Sequence, residues 1–399
     1  MKIGIYGGSF NPPHLGHLHA AAEAATSLGL DELLLIPAGI PPHKAFSEDA
    51  RGAEHRLAMT EIMADVIAFQ TGVNTGVSRM EIDRTGKSYT VDTVRAMHAT
   101  HPEDELWLLM GTDMFLSFQD WFKPGEIAAC AGICAFGRNE SDTEELFRRQ
   151  REALSGRFPG IRLALVQLPE IVEVSSTELR AALPEGGGAA LLDAGVLGYI
   201  YREHLYGTTL DLRHLPDEAL RKVSMSYLRA KRRAHVLGTE SEAVRLAQRF
   251  GADVEKARVA ALLHDSTKKL NRAEHLALAA RYGVDPATLE SYETKLLHAK
   301  TGAILARSVF GVDDEIYEAI SWHTTGRANM SLLEKVIYLA DYIEPNRTFD
   351  GVDTLRAAVY EDIDKGLAMG LSLSVKDLER RGVPVHEDTR AAYEYISKR

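Results

Sequence analysis

The stretch Lys2-Ile3-Gly4-Ile5-Tyr6-Gly7-Gly8-Ser9-Phe10-Asn11-Pro12-Pro13-His14-Leu15-Gly16-His17 decides the fold of the first half of the chain. The apolar run at its start reads as a buried strand, the small and turn-forming residues end that strand, and an Ala-rich helix follows at once. A strand that passes through glycines into a helix N-terminus presents backbone N–H groups and partial positive charge to an anion. Gly7, Gly8, Ser9 and Phe10 are therefore candidate cradle residues for a triphosphate. His14 and His17 flank Gly16 at a spacing that puts both imidazoles on one side of the helix start, each able to donate to a phosphate oxygen. A histidine in a short motif is as readily structural, so the reading leans on what lies further along the chain.

Working outward, the runs Leu33 to Ile36, Glu105 to Met110, Ile133 to Phe136 and Leu163 to Leu168 read as further strands, separated by helical crossovers. That alternation predicts an α/β unit built on a Rossmann-like parallel sheet. Gly186-Gly187-Gly188 reads as a flexible loop before a last helical segment, Val196 to Leu205. Past Gly207 the strand signals stop and segments such as Glu242 to Arg249 and Val254 to Leu263 carry a helical period. The expected organisation is residues 1–207 as the α/β unit and 208–399 as an all-α unit.

Composition agrees with two soluble units. The 399 residues suffice for two cores, with 45% apolar and 26% charged residues. A net charge of -11 argues against broad nucleic-acid binding while leaving room for a local phosphate pocket. Cys130 and Cys134 are too few for a disulfide framework, which fits a reducing, cytoplasmic setting, and neither a signal-type N-terminus nor a membrane-length apolar run is visible.

A second phosphate-binding candidate is Val174-Ser175-Ser176-Thr177-Glu178-Leu179-Arg180. Hydroxyls at a helix start are ordinary N-caps, but Arg180 one turn inside is not needed for capping, and Ser175, Ser176, Thr177 and Arg180 together could clamp phosphate. With Pro41-Pro42-His43-Lys44, the run Arg84 to Thr93, Gly111-Thr112-Asp113 and Gln119-Asp120-Trp121-Phe122, these residues make the first unit resemble the bacterial nicotinate-mononucleotide adenylyltransferases of the His-x-Gly-His nucleotidyltransferases. That resemblance implies that His14, His17, Lys44 and Arg180 serve the ATP phosphates, that Gly111 and Asp113 hold the adenosine ribose, and that Thr90 and Trp121 face the nicotinate ring. It also implies ATP carried with Mg²⁺, nicotinate mononucleotide as acceptor, and in-line attack on the α-phosphorus with release of pyrophosphate. A different acceptor, such as a pantetheine phosphate, stays open.

In the second half, His235, His264-Asp265, His298, His323 and Asp341 emerge from apolar helical stretches. Buried charge needs a partner, and a metal ion is an effective one. Adjacent His and Asp on one helix point apart, so both can meet one metal cluster only if a bridging carboxylate or the helix geometry brings them together. With Lys268, Leu297 to Gly302, Trp322 to Gly326 and Leu339 to Pro345, this unit resembles the HD phosphohydrolases, closest to the symmetrical diadenosine tetraphosphate hydrolases. The resemblance implies two metal ions, iron, held by those six residues, with Asp265 also catalytic and Lys268 and Arg347 meeting the polyphosphate. Ser266-Thr267 departs from the small apolar residues of relatives. A non-hydrolytic nucleotide-sensing module is the alternative, and self-association is left open.

Overall fold

The computed structural model describes residues 1–40, 50–137, 144–168, 172 and 174–398. They fall into two compact units, Met1–Thr209 and Leu210–Arg399, a division two residues past the boundary read from the sequence.

The first unit runs β1 (Lys2–Gly8), α1 (Leu15–Ser27), β2 (Glu32–Pro37), α2 (Ala50–Thr71), β3 (Asn74–Val77), α3 (Thr90–Thr100), β4 (Glu105–Gly111), α4 (Thr112–Leu116), α5 (Pro124–Cys130), β5 (Gly132–Phe136), α6 (Glu144–Arg157), β6 (Leu163–Val166), α7 (Ser176–Ala182) and α8 (Ala194–Arg202). The strands form one sheet in the order β3-β2-β1-β4-β5-β6, and every pair is parallel. Parallel strands covered on both faces must be apolar throughout. Accordingly Ile3, Ile5, Leu33, Leu35, Leu106, Leu108, Ile133 and Ala135 are all buried. The strand order reverses between β1 and β4, so the loops leaving their carboxyl ends diverge and open a crevice there.

Three local expectations change. The Gly186 to Gly188 segment is a defined turn: the Gly187 N–H donates to Ala182 O at 3.0 Å between two short 3₁₀ turns. The helix expected through Leu205 ends at Arg202, because His204 and Tyr206 take left-handed backbone conformations at φ 51° and 55°. The last strand stops at Val166 rather than Leu168.

The second unit contains only helices among its described residues: α9 (Asp217–Tyr227), α10 (Ala230–Phe250), α11 (Val254–Leu263), α12 (Arg272–Arg281), α13 (Thr294–Leu305), α14 (Asp314–Trp322), α15 (Leu332–Ile343), α16 (Val352–Glu361), α17 (Ile363–Arg380) and α18 (Glu387–Ile396), with short 3₁₀ and π turns. α10 packs on α11 and α15, and α14 packs on α13, α11 and α15. Their facing sides supply the core, including Val236, Leu246, Leu262, Leu263, Ala299, Ile320, Val336 and Leu339. Among the described residues no helix is long and apolar enough to cross a membrane.

Candidate functional site

At the carboxyl end of β1 the chain turns through Ser9 and Phe10 into α1. His14 is the residue that caps α1, and His17 lies one turn in, so their rings sit side by side with centroids 3.7 Å apart. Gly16 between them is tightly enclosed: a Cβ there would stand 3.1 Å from His14 Nδ1 and 3.2 Å from the Val172 carbonyl, so a side chain would push the imidazole or the backbone aside by a few tenths of an ångström. Phe10 corrects an expectation. The whole residue is buried, its ring packed edge-on to Tyr6 at 5.6 Å and tilted against His17 at 5.2 Å, so it supports the two histidines from the core and does not line an open surface.

The segment Ser175 to Arg180 lies directly on this loop. The Arg180 guanidinium donates to the Asn11 carbonyl at 2.7 Å, and the Ser176 hydroxyl donates to the Pro12 carbonyl at 3.2 Å. Arg180 also donates to Thr177 Oγ1 at 3.2 Å. Ser175 does what a helix cap does: its Oγ accepts from the Glu178 N–H at 3.1 Å and donates back to the Glu178 carboxylate at 2.8 Å. The two regions, more than 160 positions apart in sequence, are therefore in direct hydrogen-bonded contact.

Gly111 ends β4, the strand beside β1, and caps α4 with Asp113 exposed in its first turn. Thr90 opens α3. Trp121 is half-buried against Phe118, ring centroids 5.6 Å apart, while the adjacent Phe122 is exposed and lies 4.9 Å from Tyr89. Lys44 lies outside the described residues.

In the second unit, α11 ends at Leu263, and the chain continues in a tight turn whose Ser266 and Lys268 N–H groups bond three residues back. This tightening resolves the His-Asp problem: His264 Nε2 and Asp265 Oδ2 come within 3.6 Å. Two donor sets that share His264 have ligand atoms within 4.8 Å of one another, namely His235, His264 and Asp341, and His264, Asp265 and His323. His298 adjoins the second, with Nε2 3.3 Å from Asp265 Oδ1 and 3.2 Å from His323 Nε2.

The backbone selects the tautomer of three of these rings. Nδ1 of His264, His298 and His323 lies 2.6, 2.7 and 2.7 Å from the carbonyls of Ala261, Lys295 and Ile320. A carbonyl only accepts, so Nδ1 carries the hydrogen and Nε2 turns a lone pair inward. His264 Nε2 is buried and makes no hydrogen bond. Lone pairs converging on two carboxylates fit a divalent metal ion. Burial pushes His264 below its ordinary value, against Asp265 and Asp341. His323 is driven well below by burial together with His264 and His298. Burial would raise Asp265, but His264, His298 and Lys268 reverse that and hold it well below the usual carboxylate range. Asp341 is held well below too, by His235, His264 and Arg347 acting against burial.

Residues 5–182 match the cytidylyltransferase-like family and residues 232–346 match the HD domain family. A probable nicotinate-nucleotide adenylyltransferase of Halalkalibacterium halodurans is 38% identical over 52% of this chain and 92% of its own length. A symmetrical bis(5'-nucleosyl)-tetraphosphatase of Bacillus subtilis is 41% identical over 45% of this chain and 96% of its own length. A solved HD superfamily hydrolase of Clostridium acetobutylicum is 41% identical, covers 46% of this chain and 98% of that one, and has a TM-score of 0.44. The chain belongs to both families.

Several residues of the nucleotidyltransferase and HD units escaped the sequence reading. Arg56, buried in α2, donates to the Ser9 carbonyl at 3.0 Å and so braces the cradle. The Tyr206 hydroxyl donates to the Asn11 side chain. In the HD unit the buried Glu344 takes the His235 Nδ1 hydrogen at 3.0 Å and is held by Asn346 N–H at 2.6 Å. Arg232 pairs with Asp265. Of the two cations expected from the sequence, Arg347 reaches Asp341 Oδ1 at 2.7 Å and Lys268 reaches His298 Nε2 at 2.8 Å. Glu344 falls inside the run Leu339 to Pro345, but its pairing with His235 depends on a contact across 109 positions.

Proposed function

We propose that the first unit transfers AMP from ATP to nicotinate mononucleotide, and that the HD unit hydrolyses diadenosine tetraphosphate symmetrically to two ADP. The observation that carries the first half is the joining of the His14 to His17 loop to Arg180 and Ser176, at the crevice where β1 and β4 part. A phosphate oxygen of the mononucleotide attacks the α-phosphorus of Mg²⁺-carried ATP, the bond to the β-phosphate breaks, and pyrophosphate leaves. Histidine N–H groups and the Arg180 guanidinium would offset charge that builds on the reacting oxygens, and no protein nucleophile is required. In this reading Trp121 and Thr90 meet the acceptor, which is supported by the half-exposed aromatic group at Trp121 and Phe122, suited to a flat pyridine ring.

For the HD unit, the shared His264 and the inward lone pairs support a two-ion centre held by His235, His264, Asp265, His298, His323 and Asp341, with iron as the proposed metal. Such ions, when bound, polarise a phosphoryl oxygen and activate water. The chain's own part is to grip and orient the polyphosphate with Arg232, Lys268 and Arg347, whose cationic ends already lie at the centre's carboxylates and His298. A non-hydrolytic sensing role is disfavoured, because binding alone does not require six inward ligands.

The test is direct assay of the full chain, with ATP, Mg²⁺ and each pyridine mononucleotide in turn, then with diadenosine tetraphosphate and ferrous ion. His17→Ala should lower adenylyl transfer by orders of magnitude with circular dichroism unchanged. Near-normal transfer by that variant would remove the cradle assignment.

A further inference from the structure

β6 closes one edge of the sheet, and among the described residues it pairs with β5 alone. The Ile133 N–H donates to the Arg162 carbonyl at 2.8 Å, and this bond sets the alternation along the strand. The peptide groups of Arg162 and Ala164 face β5, so the N–H and C=O of Leu163 and Leu165 face away from the sheet. A free edge is ordinarily blunted by a charge, a proline or a bulge. Leu163-Ala164-Leu165-Val166 has neither charge nor proline, its register to β5 is unbroken, and the Leu165 side chain is exposed. The opposite edge, Asn74-Thr75-Gly76-Val77, is polar and interrupted by glycine, a poorer template.

α6, the crossover from β5 to β6, continues the same edge. Its Phe147 and Leu154 are buried in the core with Ile133 and Ala135, and Gln150 turns inward to α4, donating to the Phe115 carbonyl at 2.7 Å. Glu144, Arg148 and Arg151 follow one another at helical spacing on the opposite flank. With Leu163, Ala164 and Leu165 they border a groove of about 570 Å³ whose floor is Phe115 and Phe147. Arg148 is neutralised within its own helix, by Glu145 at 2.8 Å and Glu152 at 2.6 Å. The side chains of Glu144 and Arg151 make no hydrogen bond or ion pair among the described residues. The flank thus carries an unpaired carboxylate at one end and an unpaired guanidinium at the other, and an antiparallel copy of it presents the two in complementary order.

We propose that this edge joins two copies of the chain. The β6 strands pair antiparallel about a two-fold axis at Ala164, Leu163 exchanging hydrogen bonds with Leu165 of the second copy, and two six-stranded sheets become one. Glu144 of each α6 meets Arg151 of the other, because the groove is centred on Ala164 in the strand and beside Arg148 in the helix. The spacing agrees. α6 lies over β5 and β6, half a strand spacing inside the edge, so edge pairing sets the two helices two spacings apart, about 9.6 Å. Helices pack at about 8–10 Å. The arrangement covers both unguarded edges at once and leaves only the β3 edges outward, so association stops at two copies.

Sedimentation equilibrium of the full chain tests this, with a concentration-dependent dimer as the expected result. Leu165→Lys places a charge on the outward strand without touching the β5 ladder, and should give a monomer of unchanged circular dichroism. Glu144→Arg and Arg151→Glu should each weaken the dimer about tenfold or more, since the two-fold axis repeats the contact, and the double variant should restore it. Hydrogen exchange reads the edge directly: the Leu163 and Leu165 amides should slow as the protein concentration rises. A monomer at every concentration overturns the proposal, as does a dimer indifferent to Leu165→Lys, or a charge exchange that the double variant fails to restore. Slow exchange at Leu165 that ignores concentration assigns the edge to some other cover and overturns it too.

Discussion

Replacing Gly238 by alanine sets two effects against each other, and the structure says which prevails. Gly238 lies in the interior of α10, where alanine is ordinarily preferred by about 1 kcal/mol. Here, however, the new Cβ would stand 2.3 Å from Glu344 Oε2 and 2.9 Å from Asn346 Nδ2. The carboxylate would have to retreat by roughly 1 Å to reach ordinary contact distance. It cannot do so freely, since Oε2 accepts from Asn346 N–H at 2.6 Å and from Asn346 Nδ2 at 2.9 Å, while Oε1 holds His235 Nδ1 at 3.0 Å. A hydrogen bond to a charged group contributes about 1.5–3 kcal/mol, so losing one outweighs the helix preference and leaves a net loss of about 0.5–2 kcal/mol. Disturbing the partner that orients a ligating histidine should also lower metal affinity about 10- to 100-fold. Denaturant titration of the metal-free full chain reads the first effect, and metal content after dialysis against a graded chelator reads the second. A variant stabilised by about 1 kcal/mol with unaltered metal retention would refute the reasoning and free Glu344 of any role in orienting His235.

Other outcomes follow from the same geometry. Asp265→Asn should abolish tetraphosphate hydrolysis and weaken metal retention while adenylyl transfer by the same protein continues at its normal rate, measured side by side. His275 is almost fully buried against Thr301, and burial, helped by nearby His298, pushes it down to about 4. The fold therefore favours the neutral ring. That stabilisation is complete above about pH 6.5, and it is lost as the pH falls toward 4 because the unfolded chain takes up the proton first, at most about 3 kcal/mol. Stability measured from pH 7 to 4.5 should fall less steeply in His275→Gln than in the wild type, and parallel slopes would exclude His275 as the sensor.

The parts of the fold legible in the sequence were those governed by local pattern. The first strand, its glycine turn and α1 follow from residues 2 to 17 alone, and the apolar runs of β2, β4 and β5 mark themselves because both of their faces are covered. β3 gave no such signal: Asn74-Thr75-Gly76-Val77 is a four-residue edge strand with a single large apolar side chain, held by its pairing to β2. The end of α8 was overrun for a related reason, since the left-handed turns at His204 and Tyr206 depend on tertiary contacts and not on composition. Within the sites, residue types and spacing pointed to the histidines, Asp265, Asp341 and Arg180. Their supports did not announce themselves, because Arg56 on Ser9, Glu344 on His235 and Arg232 on Asp265 each bridge segments far apart in the chain.

The anchoring of Asn11 and Pro12 by Ser176, Arg180 and Tyr206 bears on how such a chain could be divided or assembled. The sheet is complete by Val166, yet the loop bearing the two imidazoles is tied down by side chains up to 40 positions later. A fragment trimmed to the sheet would keep its scaffold and lose the fastenings of its histidine loop. The narrow interval between Tyr206 and the start of α9 at Asp217 is where a genetic splice can add or remove the helical partner with those fastenings left in place.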